Sequence, residues 1–417
     1  MRILKLTDAV AAKFLARRSS HDAAAERVAS RILADVRRNG DSALFRWARR
    51  LDGLRLTRGT IWVSRAELRA ARRDVSRDLL RAIEHAARNV RRVAEQQRPR
   101  SWTITVEPGV GVGQRVTPLG TIGCYIPGGR FSLFSTLLMT AIPAQVAGVG
   151  RIIVACPKPS SALLAAAEIL GVKEIARIGG AQAIGAFAYG TRSIPRVDKI
   201  CGPGNRYVTA AKRIVSNDCA IDMPAGPTEV LILATGGKPE FIAADLLAQA
   251  EHDPDAVALL VTTSERLARD VGAEVARQLR ELPKTNPAWK SLQAASAILV
   301  APSLDAAIRF ANRVAPEHLS VPFADRSLVE KLSEAGSVFL GPWSAQPIGD
   351  YASGTNHVLP TSGWARTRGG LGVSDFVKCS STQQISRAGL KSLAPVVSAM
   401  ARAEGLEAHA RAVEVRR

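Results

Sequence analysis

RIIVACPKPSSALLAAAEILGVKEIARI, residues 151–178, decides the fold class. Residues 151–156 form a short apolar run rich in β-branched side chains. Residues 160–170 carry apolar side chains at helical spacing, and 174–178 is a second short apolar run. A strand, a helix and a strand therefore follow one another within thirty residues. Working outward, the pattern repeats. It predicts helices at 181–189, 206–215, 239–252, 264–282 and 304–313, with strands at 197–200, 229–234, 256–262, 295–300 and 337–340. Strands separated by helical stretches argue for parallel sheets in α/β units, and the chain has room for two. Upstream, 23–38, 41–52 and 66–97 read as helices, and 101–125 as short strands and turns. The glycine-rich stretch 108–113 reads as a strand with turns, because it does not open a helix as GxGxxG does. Beyond Ser380 the reading is helical again, at 382–390 and 393–413.

Composition bounds the rest. The 417 residues correspond to two or three domains at ~150 residues each. With 47% hydrophobic and 23% charged residues, disordered, collagen-like and fibrous classes are excluded. The formal net charge of +20 comes mostly from arginines scattered over helices, as between 65 and 81. No RNP pattern, zinc finger or interleaved aromatic run accompanies them, so no nucleic-acid partner is expected, although the charge favours encounter with phosphorylated cofactors. The five cysteines are odd in number and lack a CxxC, which argues against a disulfide scaffold or a thiolate zinc site. The first 18 residues are too polar for a signal peptide's apolar core, and no long uncharged apolar run exists. The expectation is a cytoplasmic protein with no membrane partner.

Of the six histidines, His21 and His85 read as solvated surface residues, and the other four sit in distinctive phrases. In Gln249-Ala250-Glu251-His252-Asp253, Gln249 and His252 share a helix face, and an amide oxygen with an imidazole can bind a borderline metal. In Pro316-Glu317-His318, adjacent acid and imidazole read as a loop whose two side chains can divide acid–base work. The phrase 349–357, GDYASGTNH, reads as an ordered binding loop offering Asp350 and His357, and spacing does not choose between ligand and substrate contact for the histidine. Glu404 and His409 lie on a terminal helix weakened by Gly405. Glutamine, histidine, aspartate and histidine from these phrases would make a mixed N/O zinc shell, which suits a catalytic site. Four glycine loops, 127–130, 179–182, 201–205 and 224–228, flank predicted strands, where backbone amides can meet an anion or dinucleotide.

Taken together, these phrases resemble histidinol dehydrogenase along nearly the whole chain. The segments are YIPGGRFSLFSTLLMTAIPAQVAGV from Tyr125, IGGAQAIGAFAYGT from Ile178, VDKICGPGNRYVTAAK from Val197 and IDMPAGPTEVLI from Ile221. They continue with DLLAQAEHDPD from Asp245, NRVAPEHLS from Asn312, GSVFLGPWSAQPIGDYASGTNHVLPTSGWAR from Gly336 and AEGLEAH from Ala403. The resemblance implies oxidation of L-histidinol to L-histidine through L-histidinal, with NAD as oxidant and one zinc per subunit. It implies zinc ligands at Gln249, His252, Asp350 and His409, with Glu317 and His318 as the acid–base pair. His357 and Glu404 would contact substrate alongside Thr228, Gln249, His252, His318, Asp350 and His409. Tyr125, Gln182 and Asn205 would contact NAD. Where this chain has Thr228 the family usually has serine, so an extra methyl stands near the substrate.

The implied fold is α/β, with two incomplete Rossmann-like domains and small helical extensions at each end. The expected boundaries are an N-terminal arm over 1–25, a split catalytic domain over 26–125 and 228–366, and a second Rossmann-like domain over 126–227. The arm and a tail over 367–417 would be exchanged in a homodimer, the tail bringing Glu404 and His409 to the partner's site. Three other readings of the residues stand beside this resemblance: a zinc dehydrogenase acting on another small polar alcohol, a nucleic-acid-binding module suggested only by the +20 charge, and a metal-dependent hydrolase that needs no NAD.

Overall fold

A computed structural model describes residues 1–16, 22–128, 133–224, 226–323 and 326–417, with side chains from 328 in the last stretch. His21, Gly129, Arg130 and Ala225, which belong to expectations above, lie outside the described residues. The strands are β1 Arg2–Lys5, β2 Trp102–Glu107, β3 Val110–Pro118, β4 Thr121–Tyr125, β5 Arg151–Ala155, β6 Glu174–Ala176 and β7 Lys199–Cys201. They continue as β8 Ala220–Ile221, β9 Glu229–Leu233, β10 Val257–Thr262, β11 Ala297–Val300, β12 His318–Val321, β13 Ser337–Leu340 and β14 Val377–Ile385.

Two parallel sheets carry the architecture. One has the order β6-β5-β4-β7-β8 and the other β1-β11-β10-β9-β12-β13. Leaving β1 aside, both run third-second-first-fourth-fifth in chain order, which is the doubly wound order without its sixth strand. Both sheets are covered on both faces, so their strands are apolar on successive residues. Ile122, Cys124, Val154 and Ile175 point into one core, while Ile153, Ala155, Ala176 and Ile200 point into the opposite one. In the larger sheet Leu231, Leu259, Leu299 and Leu319 oppose Val230, Ile232, Leu260 and Ile298 in the same way. The connecting helices begin and end by sequence rule. Ser160 caps Ser161–Leu170 by accepting from the Leu163 N–H, and Gly171 closes it in the left-handed conformation.

The expected domain boundaries change. Helices Ala23–Trp47 and Arg77–Gln96 pack on the five-stranded sheet, not on the larger one, and β4 is that sheet's central strand. Val358, Leu371, Val373 and Phe376 return to the same core. Residues 26–125 therefore belong with the second α/β unit, and the tail departs at Val377 instead of 367. The N-terminal segment is no free arm. β1 pairs in parallel with β11, covering the unpaired backbone groups of that edge, and Ala11 and Phe14 are buried in the same core.

Four local expectations also change. The stretch 66–97 is two helices, Arg65–Ala71 and Arg77–Gln96, each with its own serine cap. Residues 382–385 belong to β14, which pairs antiparallel with β3 in a three-stranded sheet β14-β3-β2, so the helix starts only at Arg387. Gln346–Tyr351 is helical, so Asp350 sits on a helix and not in a loop. His318 opens a strand. Among the described residues, no helix is long and apolar enough to cross a membrane.

Candidate active site

The site gathers where β9 and β12, neighbours in the larger sheet, begin. Strand register sets Val230 opposite His318, so Thr228, Glu229, Glu317 and His318 converge. The Thr228 hydroxyl donates to Glu317 Oε2 at 2.5 Å, and the same oxygen of Glu317 accepts from the Glu229 N–H at 2.9 Å. Gln249, fully buried near the end of helix Pro239–Ala250, donates through Nε2 to the Thr228 hydroxyl at 2.7 Å. A hydrogen-bonded chain therefore runs Gln249, Thr228, Glu317. It leaves Gln249 Oε1 buried and without a hydrogen-bond partner.

His318 Nδ1 lies 3.1 Å from the Glu229 carbonyl, to which the proton-bearing tautomer donates. Its Nε2 is buried without a hydrogen bond, 3.6 Å from Asp350 Oδ1. Asp350 accepts from Gln346 Nε2 one helical turn earlier, at 3.2 Å, and its carbonyl lies 2.8 Å from His357 Nδ1. His357 Nε2 in turn approaches the Thr136 hydroxyl at 3.3 Å. Thr136 lies on helix Phe134–Ala147, which follows β4 of the other sheet, so the two α/β units meet at this histidine.

Burial and charge work against each other here. Burial pushes Glu317 up to about 7, against the pull of His318 and of the hydrogen bonds from Thr228 and Glu229. Burial alone would push His318 down, but Glu317, Asp350 and the Glu229 carbonyl outweigh it and raise the imidazole to about 9. For Asp350 burial pulls upward, yet its interaction with His318 and the charges of His357 and His252 hold the carboxyl below its ordinary value. His252 is exposed at the rim. Desolvation lowers its titration, opposed by Asp350.

A second group lies at the carboxyl ends of the five-stranded sheet. Tyr125, the last residue of β4, accepts from the Gly180 N–H at 3.1 Å, and burial pushes its phenol up to about 12. Gln182 is fully buried, donates to Asp52 Oδ2 at 3.0 Å, and keeps an unpartnered Oε1. Gly202, after β7, has φ +112°, and a Cβ there would lie 2.1 Å from the Tyr125 carbonyl oxygen. Asn205 caps helix Arg206–Val215 through the Tyr207 and Val208 N–H groups.

The sequence profile of the histidinol dehydrogenase family matches residues 15–417. This chain belongs to the histidinol dehydrogenase family. It is 48% identical to the histidinol dehydrogenase of Halalkalibacterium halodurans over 92% of each chain. Identity with that of Methanosarcina barkeri is 45% over 100% of this chain and 97% of the relative. The crystal structure of histidinol dehydrogenase from Elizabethkingia anophelis superposes with a TM-score of 0.93 at 40% identity, covering 100% of this chain and 98% of that one. A methylmalonate-semialdehyde dehydrogenase from Oceanimonas doudoroffii shares the fold alone, with a TM-score of 0.51 at 12% identity.

Within this histidinol dehydrogenase framework, hydrogen bonds and close contacts link Thr228, Gln249, Glu317, His318, Asp350 and His357, with His252 at the rim. Tyr125 and Gln182 meet around Gly180. Glu404 and His409 do not join either group within the chain. Both are exposed on the helical hairpin of Arg387–Ala403 and Glu407–Glu414. Among the described residues no three His, Cys, Asp or Glu side chains gather as a metal cluster. Sequence reasoning missed the Glu229 backbone, Gln346 and Thr136. Gln346 had a signal, its four-residue spacing from Asp350, which the loop reading of that phrase concealed.

Proposed function

We propose that this chain oxidises L-histidinol to L-histidine through L-histidinal, using NAD and one zinc ion per subunit. The observation that carries the reading is the buried Gln249–Thr228–Glu317 chain beside His318. It aligns an acid and an imidazole at one point and leaves two buried polar atoms, Gln249 Oε1 and His318 Nε2, unpartnered. Such atoms are costly unless a ligand satisfies them.

The residues fit zinc. Gln249 Oε1, His252 and Asp350 would hold it from one chain, and His409 would complete the shell from a second copy. When bound, zinc would fix the substrate's amino and imidazole nitrogens, and NAD would accept the hydride in each oxidation. Everything else falls to the chain's own groups. In its neutral form His318 Nε2 is the atom placed to take the alcohol proton, and the carboxylates around it, which raise the imidazole to about 9, stabilise the imidazolium that results. Glu317, whose Oε2 already holds two donors, would activate water against the aldehyde to form a gem-diol. His318 would then remove the gem-diol proton. His357, oriented by the Asp350 carbonyl, would hold the substrate from the other unit. The glycine loops after β6 and β7, with Gln182 Oε1 buried without a hydrogen bond, fit a dinucleotide at the point where strand order reverses.

Purified protein with zinc, NAD and L-histidinol should form NADH and histidine in a ratio of two to one. Absence of histidine would overturn the reading, and zinc-dependent hydrolysis without NADH would favour a hydrolase.

A further inference from the structure

Beneath the loop 202–205 lies an ion pair that the chemistry above does not use. Lys212, on helix Arg206–Val215, and Asp222, just past β8, have side chains only 2% and 1% exposed and are in direct contact. Lys212 Nζ donates to the Gly202 carbonyl at 2.9 Å, while Asp222 Oδ2 accepts from the Gly202 N–H at 2.7 Å. Both polar groups of one glycine are thus gripped by the two ends of one pair. The Met223 N–H donates to the other Asp222 oxygen at 2.6 Å, and the Asp222 carbonyl accepts from Arg368.

Gly202 is a position where this grip matters. Its left-handed backbone presses against Tyr125, and any side chain would collide there. The loop follows β7, beside β4, at the crevice where the sheet's strand order reverses and where open α/β sheets bind nucleotides. A buried ion pair is weak evidence for stability, because well-packed apolar residues often serve as well or better. The pair does supply a fixed charge-assisted frame for backbone that must sit in one place.

We propose that Lys212 and Asp222 are positioning residues that hold the 202–205 loop in the shape that receives the dinucleotide. This rests on the dinucleotide reading given above. The pair acts on cofactor binding and leaves the zinc and histidinol groups, which lie at the start of the other sheet's strands, untouched.

The test is calorimetric titration of the full-length, zinc-loaded protein with NAD and, separately, with L-histidinol. The variant Lys212→Met/Asp222→Leu removes both charges together, so neither is stranded. We expect its NAD dissociation constant to rise by about tenfold or more, with histidinol affinity held within about twofold. Lys212→Met/Asp222→Asn, which keeps an acceptor for the Gly202 N–H and also strands no charge, should fall between, and serves if the first double variant does not fold. A folded double variant with unchanged NAD affinity would assign the pair to stability alone and overturn the proposal. So would parallel loss of both ligands. If the unaltered protein binds histidinol but not NAD, the dinucleotide reading itself fails and takes this proposal with it.

Discussion

Thr228 has a single hydroxyl, and it is used twice: it donates to Glu317 and accepts from Gln249. Its methyl takes part in neither bond. Thr228→Ser should therefore keep kcat/KM within a few-fold. Thr228→Val keeps the shape but deletes the link, and a hydrogen bond to a charged group is worth about 1.5–3 kcal/mol, so kcat/KM should fall about 10- to 100-fold. Steady-state kinetics on both variants decide this, and full activity in Thr228→Val would show that the bridge is dispensable. The proposed mechanism divides labour between Glu317 and His318 by step. Glu317→Gln should slow oxidation of the aldehyde more than that of the alcohol, because only the aldehyde needs hydration. His318→Asn should impair both. Equal losses in the two half-reactions of Glu317→Gln would sink the division.

Helix Pro239–Ala250 shows how an element constrains its own chemistry. The helix that delivers Gln249 also carries Asp245, whose carboxyl burial pushes up to about 6. The folded value lies above the unfolded one of 3.8. The folded state therefore holds the proton more tightly, and stability falls as pH rises from the unfolded value through the folded one. Asp245→Asn should thus stabilise the protein by up to about 3 kcal/mol at pH 7 and by under about 1 kcal/mol near pH 4. Urea unfolding at the two pH values measures it. A gain of the same size at both would refute burial of the charge as the cause. Helix Gln346–Tyr351 makes a related point. Its short span contains a proline and a glycine, poor signals of a helix, and tertiary contacts decide it: Gln346 is buried and Asp350 is held against His357.

In the whole molecule the tail from Val377 onward packs on β3 and on itself, away from the site. Trp102, Ile104 and Val106 on β2 and Val396 and Met400 on the terminal hairpin are exposed apolar residues, on the same outlying part that carries Glu404 and His409. A terminal helix holds a ligand in place only when it is packed against something larger. The proposed homodimer, with each tail completing the partner's site, supplies that surface. Mixing His318→Asn with His409→Ala protein after partial unfolding and reassembly should restore activity. Each mixed dimer then has one site with both defects and one with neither, so random pairing recovers at most roughly a quarter of wild-type sites under two-fold symmetry. Mixed dimers no more active than either parent would show that His409 does not act across an interface.

The alternation in residues 151–178 and beyond was enough to settle the α/β class, because buried parallel strands must be apolar on both faces and their helices must follow at short range. The motif phrases nominated Glu317, His318, Gln249 and Asp350, and the fold brings these four side chains together. Local pattern could not say which sheet the N-terminal helices cover, that residues 382–385 form a strand, or that β1 closes an edge. Each of these is a pairing between segments far apart in sequence. Nor could spacing reveal the Thr228 bridge or the Lys212–Asp222 grip on Gly202. Their groups meet only because the winding of each sheet sets distant strand ends and helices side by side, and burial then makes each polar atom find the partner that the fold has brought to it.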